Sequence, residues 1–247
     1  MKYYFYFLLF ILNSNLFSST SDSTLKFDMN FDGIDENIKF IHSEIGPEFE
    51  LWINNAVASD TFSEGYSSRI QIIDIDRNDN LREIVVTGSG SSDQEECFLF
   101  QFIDGKVISC GYLGGSFGIS TKGNNILYEN SWMGFWGPVY EYEFDSENKK
   151  LTKIEKEFYS LNEKADVTIP FPILTHRYDQ SPVAVIIKVG TKITFIKADL
   201  SPLCKTEYDY VNEVDCDWYL IRTDDGTEGW CRLKDFRDNV DGLIWAG

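Results

Sequence analysis

Two stretches of this chain set oxygen-bearing side chains at alternate positions. Asp28-Met29-Asn30-Phe31-Asp32-Gly33-Ile34-Asp35-Glu36 carries them at its first, third, fifth and ninth places with glycine at the sixth. Asp74-Ile75-Asp76-Arg77-Asn78-Asp79-Asn80-Leu81-Arg82-Glu83 repeats the pattern 46 positions on (28 to 74). A tight turn brings alternate side chains to one point, glycine supplies a corner of positive φ, and a later carboxylate closes the shell. That is the chemistry of a hard cation such as Ca²⁺, which takes about six to eight oxygens. The expected ligands are Asp28, Asn30, Asp32 and Glu36 in the first loop, and Asp74, Asp76, Asn78, Asp79 and Glu83 in the second. The second copy lacks the glycine and has one extra residue before its closing acid, although Asn and Asp accept left-handed backbone better than other residues. The same residue types also favour solvated turns on conformational grounds alone.

Each loop lies between two apolar runs and reads as strand, loop, strand. The runs Ile38 to Ile41, Phe49 to Ile53, Ile70 to Ile75, Ile84 to Thr87, Phe98 to Ile103 and Val139 to Phe144, broken by Gly, Asn and Asp, predict an all-β domain. One segment has helical spacing, Leu151, Ile154, Phe158 and Leu161, and reads either as a short helix or as a strand followed by a loop. Pro170 and Pro172 interrupt the chain before a second β-rich stretch ending near Phe236. A boundary near Lys164 gives a first domain over 22–164, which holds most of the excess acid, and a second over 165–240. Asp104-Gly105 reads as a two-residue hairpin turn, which sets Cys110 opposite Leu99 and Cys97 opposite Tyr112.

Lys2 precedes the apolar run Tyr3 to Leu12, and small polar residues follow at Ser14, Ser18, Ser19 and Ser21. That order predicts a signal peptide over 1–21, cut between Ser18 and Asp22. The run is too short to span a bilayer, which takes about 20 apolar residues. The expectation is therefore a secreted, periplasmic or envelope-facing chain with no membrane span after cleavage. Of the five cysteines, Cys97, Cys110, Cys204, Cys216 and Cys231, none forms a C-x-x-C pair, so structural zinc is disfavoured. A bridge from Cys216 to Cys231 or Cys204 and a set of five buried thiols are both open readings.

The chain has 22 Lys plus Arg against 40 Asp plus Glu, a formal charge of −18. Phosphate neutralisation needs clustered cations, so nucleic acid is excluded as a partner of that kind. Two histidines, His42 and His176, leave little room for multi-histidine metal sites or most histidine catalysis. Gly114-Gly115-Ser116-Phe117-Gly118 matches G-x-S-x-G formally, with Asp166 and His176 later in the chain. The residues after it, Ile119 to Asn125, do not open a helix, so a glycine-rich turn is the better reading and a serine hydrolase using Ser116 the alternative. Ser131 to Pro138 gathers Trp132, Phe135 and Trp136 in one glycine-punctuated loop. Exposed, these would form a contact surface; folded back, they would close one end of a β domain.

The two acidic loops, with Ile72-Ile73-Asp74-Ile75-Asp76 and Glu83-Ile84-Val85-Val86 beside the second, resemble the FG-GAP or VCBS repeats of calcium-binding β-propellers. Their spacing suits one blade of roughly 40 to 50 residues. About 140 residues supply three blades at most, which implies a partial propeller. Gly190-Thr191-Lys192-Ile193, then Trp218 to Trp230 with Gly226 and Gly229, resembles the bacterial SH3-type domain, Cys231 standing where Val is usual. Leu200 to Asp217 is longer than that likeness implies and reads as an inserted loop. The resemblance implies an SH3-like barrel that binds a cell-wall glycan or peptide without turnover, with Trp218 and Trp230 as its aromatic candidates. Together these readings predict a non-enzymatic, all-β protein of two domains with calcium loops; a structural envelope protein without ligand is a further alternative.

Overall fold

The computed structural model describes residues 22–43, 46–64, 67–90, 95–200 and 213–245. The signal-peptide reading of 1–21, Cys204 and most of the inserted-loop segment lie outside these residues. Nineteen strands and two four-residue helices are described, so the chain is all-β, and its sheets are antiparallel. It divides into two units, 1–129 with 141–153, and 130–140 with 154–247.

The first unit holds three successive four-stranded sheets. Sheet one runs β1 (Asp22–Phe27), β2 (Glu36–His42), β3 (Glu48–Ile53), β4 (Ala56–Thr61). Sheet two runs β5 (Ser67–Ile73), β6 (Glu83–Ser89), β7 (Glu95–Ile103), β8 (Lys106–Ser116). Sheet three consists of β9 (Ile119–Thr121), β10 (Ile126–Asn130), β11 (Val139–Asp145) and β12 (Lys150–Lys153). Neighbours in sequence are neighbours in each sheet, because short turns can join only antiparallel partners.

Residue pattern explains the layering. In β2 burial alternates, the mark of a strand covered on one face. In β6 six consecutive residues are buried, and the side chains divide by parity: Ile84 and Val86 join a core with sheet one, whereas Val85 faces sheet three. Phe98, Phe100 and Phe102 of β7 likewise join the first core, and Cys97 and Leu99 the second. Sheet two is thus the middle layer, buried on both faces. Phe49 anchors the first core, its ring centroid 4.7 Å from Phe62 and 5.2 Å from Phe98. The helix-spaced segment resolves as strand then loop: β12 ends at Lys153 and no helix follows.

The expected hairpin at Asp104-Gly105 forms, with φ of 49° and 73° at its two residues, as a turn with positive φ at both central positions requires. Its register holds only to Phe100↔Ser109; a bulge then makes Leu99 face Gly111 and Cys97 face Leu113. The backbone at Gly111 lies so close to Leu151 that a Cβ there would be 3.0 Å from its Cδ1. The bulge lies beside this close approach, and local turn chemistry does not reveal it.

The second unit contains one seven-stranded sheet in the order β15-β14-β18-β17-β16-β13-β19. Its strands are β13 (Tyr159–Val167), β14 (Phe171–Leu174), β15 (Val183–Ile187), β16 (Lys192–Asp199), β17 (Trp218–Thr223), β18 (Glu228–Arg232) and β19 (Val240–Asp241), with helices α1 (Glu213–Cys216) and α2 (Leu233–Phe236). No sheet closes into a barrel; β15 and β19 are open edges among the described residues. Bulges in β13 and β16 bend the sheet around one core.

This unit begins before Lys164 and is discontinuous. β13 is paired to β16 from Tyr159↔Ala198 onward, so a cut at 164 would divide a strand. Residues 130–140 also belong to it. Ser131 N–H donates to Pro138 O at 3.0 Å and Met133 N–H to Trp136 O at 2.9 Å, a small closed loop. Phe135 lies 5.2 Å from both Phe195 and Tyr219, and Trp136 Nε1 donates to the Tyr219 hydroxyl at 3.2 Å.

Candidate functional site

The acidic loops are the β1–β2 and β5–β6 connections. Each opening acid follows directly on a strand, Asp28 after Phe27 and Asp74 after Ile73, and each closing acid is the first residue of the next strand. The closing acids are paired in register with those same strand ends, Phe27↔Glu36 and Ile73↔Glu83. The β9–β10 connection holds the third equivalent place, with Lys122 after Thr121 and no acid up to Asn125.

These three connections lie side by side. Arg82 N–H donates to Met29 O at 2.9 Å, joining the second loop to the first. Arg77 N–H donates to Gly123 O at 3.2 Å, and Asn125 N–H to Ile75 O at 2.7 Å, joining it to the third.

Within the first loop, the Gly33 N–H donates to Asp28 Oδ2 at 2.9 Å, the Asp32 N–H to Asn30 Oδ1 at 3.1 Å, and the Ile34 N–H to Asp32 Oδ1 at 2.8 Å. Gly33 has φ of 86°, as the spacing predicts. The second loop turns without a left-handed residue. There Asp76 Oδ1 accepts from the Asn78 backbone and side-chain amides at 3.0 and 2.9 Å, and Asp79 Oδ1 from Leu81 N–H at 3.0 Å.

The closing acids do something the spacing does not reveal. Glu36 Oε2 accepts the Met29 N–H at 2.8 Å, and Glu83 Oε2 the Ile75 N–H at 2.9 Å. Both carboxylates are buried, and Glu83 also accepts from Gln101 Nε2 at 2.7 Å. They act as clasps, each tying the strand that follows a loop to the residue just inside it. Burial raises the Glu83 carboxyl above its ordinary range despite those hydrogen bonds.

Three carboxylate oxygens of the loops are left over. Asp28 Oδ1, Asp74 Oδ1 and Asp79 Oδ2 are buried without a hydrogen-bond partner, which a buried oxygen anion tolerates poorly. The Asp79 carboxyl is raised first by burial and then by the negative charges of Asp76 and Asp74. Among the described residues, no three Asp, Glu, His or Cys side chains converge as a ready-made metal shell. A residue outside the expected ligand set completes the second loop: Arg82 pairs its guanidinium with Asp74 and sits 4.1 Å over the Phe31 ring. An arginine directly before the closing acid was the available signal.

The aromatic candidates separate by burial. Phe135, Trp136 and Trp218 are core residues with no free face, so none is a contact surface. The Arg232 guanidinium covers Trp218 at 4.2 Å. Trp132 and Trp230 are half-buried. Trp230 lies opposite Leu174 and Leu220 in register. Since Cys231 points into the core, these three side chains lie on the outer face of the sheet. The Phe158 ring packs at a tilt against Trp230, centroids 5.7 Å apart, with Arg177 and Lys197 at 4.6 and 5.3 Å from the Phe158 ring. Pro172 and Ile186, an exposed cross-strand pair, extend the apolar strip to the β15 edge.

Ser116 is fully buried at the end of β8, its Oγ accepting the Gly118 N–H at 3.0 Å, and strand β9 follows. The strand-to-helix turn of a nucleophile elbow is absent there. Cys97, Cys110 and Cys231 are free and buried, and burial pushes the first two thiols up to about 12. Cys216 is disulfide-bonded, and Cys231 is not its partner.

No family model matches the chain, and comparison with curated proteins and with solved structures finds no match.

Proposed function

We propose that this chain is a secreted or envelope-facing binding protein without catalytic activity, in which the second unit holds a cell-wall glycan or peptide. The observation that carries this reading is the outer strip around Trp230. A half-buried indole packed at a tilt against Phe158, with Arg177 and Lys197 over the Phe158 ring and Leu174, Pro172 and Ile186 beside it, suits a sugar ring or an extended peptide. The strand order, the short α2 between β18 and β19, and Gly229, where a Cβ would come 2.7 Å from Ile173, all support an SH3-like arrangement. The disulfide at Cys216 supports an oxidising compartment.

Purified peptidoglycan retains the chain in a sedimentation assay, and Trp230→Ala weakens retention by about 30-fold, the effect of losing a central aromatic contact. Retention equal to that of the parent chain refutes the strip as the binding face; no retention of either leaves a structural envelope role as the better reading.

Three successive four-stranded sheets, two of them with an aspartate-led first connection, support the propeller-like repeat reading, and the unpartnered Asp28 Oδ1 supports Ca²⁺ at the first loop. Asp28, Asn30 and Asp32 would hold it, and the ion would neutralise the turn. Millimolar calcium raises the melting temperature by about 3–5 °C over chelator if Kd lies near 10⁻⁴ to 10⁻³ M, and Asp28→Asn abolishes the shift. Equal melting of the parent chain in both conditions ends this part of the proposal.

A further inference from the structure

We infer that Arg82 is the resident cation of the second acidic loop, so that Asp74 to Glu83 is a metal-independent counterpart of Asp28 to Glu36. The inference extends the calcium reading of the first loop, and its test separates the two. Asp28 and Asp74 hold the same place, each directly after a strand and two residues before the next acid or amide. Their Oδ2 atoms meet different donors. In the first loop the donor is the Gly33 N–H at 2.9 Å. The second loop has no glycine at that place, and the donor is the Arg82 guanidinium.

Three contacts fix that guanidinium. It pairs with Asp74, it lies 4.1 Å over the Phe31 ring, and its own backbone N–H is bonded to Met29 O. The pair is largely withdrawn from water, its side chains 21% and 20% exposed, so the attraction is less screened than on an open surface. The Asp79 carboxyl is raised first by burial and then by the negative charges of Asp76 and Asp74, and Arg82 sets a positive charge directly against Asp74. An ion entering beside Asp74 would meet a cation already there. Asp76 Oδ1, Asp79 Oδ1 and both Glu83 oxygens are engaged with the chain's own backbone and with Gln101, which leaves Asp74 Oδ1 and Asp79 Oδ2 to the field of Arg82.

The test uses the full chain with Asp28→Asn, which removes the first loop's response. Melting is followed in chelator and in 5 mM calcium chloride. Asp28→Asn alone melts identically in both. Adding Arg82→Gln lowers the chelator melting temperature by about 4–8 °C, and calcium returns at least a third of that loss, because Asp74 Oδ1 and Asp79 Oδ2 then face an uncompensated site. Adding Asp74→Asn to Arg82→Gln restores much of the loss without calcium. A calcium shift in Asp28→Asn with Arg82 intact overturns the assignment, as does an Arg82→Gln variant indifferent to calcium or additive with Asp74→Asn. Should Arg82→Gln fail to fold, Arg82→Lys keeps the charge: calcium-indifferent melting supports the assignment, and a calcium shift overturns it. Failure of the first-loop reading appears elsewhere, as a parent chain no more calcium-sensitive than Asp28→Asn.

Discussion

Replacing Phe135 with alanine destabilises the second unit by about 3–5 kcal/mol, the range for deleting a fully packed aromatic side chain. Its ring is 3% exposed and lies within 6 Å of Phe195, Tyr219, Phe236 and Trp245. Removing it opens a cavity that four rigid rings cannot close by small rotations. The same reasoning predicts that a fragment of residues 154–247 does not fold cooperatively, since it lacks both Phe135 and the indole donor to Tyr219. Urea denaturation followed by tryptophan emission measures the first effect, and near-ultraviolet circular dichroism of the fragment the second. A loss below about 1 kcal/mol for Phe135→Ala, or a sharp melt of the fragment, would show that 130–140 is an accessory.

Removing the Asp179 carboxylate costs about 2–3 kcal/mol at neutral pH. Arg232 is 6% exposed, and its guanidinium makes a two-point contact with Asp179, Nε–Oδ1 2.7 Å and Nη2–Oδ2 3.1 Å. A third nitrogen donates to the Cys216 carbonyl. Asp179→Ala leaves a buried cation short of its partner, the costly way to break such a pair. Asp179 itself is half exposed, so water replaces part of the lost contact and keeps the cost at the lower end. The hydrogen bonds from Arg232 hold the Asp179 carboxyl below its ordinary value of 3.8. Because the folded pKa is depressed, this contribution is complete above the unfolded value and disappears as pH falls through the folded one. The stability gap between the parent chain and Asp179→Ala should therefore be constant from pH 7 to 5 and narrow below pH 4. A gap that widens on acidification would reverse the assignment.

What was legible in the sequence were features of short range. The run Ile84 to Thr87 announced a strand, though not its burial on both faces. Asp104-Gly105 announced its turn, and the acidic spacing announced two connections with a shared design. What escaped depended on partners far along the chain. The bulge at Cys110 lies where Leu151 approaches Gly111, forty positions further on. A boundary near Lys164 could not register that Tyr159 pairs with Ala198, or that Phe135 packs against Phe195, Tyr219 and Phe236, sixty and more positions later. Glu36 and Glu83 have the spacing of shell-closing ligands, and only the structure shows them bonded to Met29 and Ile75. For Trp136 and Trp218 the sequence leaves contact surface and core both open, because residue type cannot distinguish an indole facing water from one facing a core.

The split make-up of the second unit bears on how the polypeptide is synthesised. Phe135 and Trp136 emerge about a hundred residues before Phe236, an interval of roughly 5–20 s at ordinary translation speeds. Throughout it, two large rings wait for companions not yet made. A nascent chain of this design invites holdase capture, and slowing elongation after residue 140 should lengthen that vulnerable period in proportion.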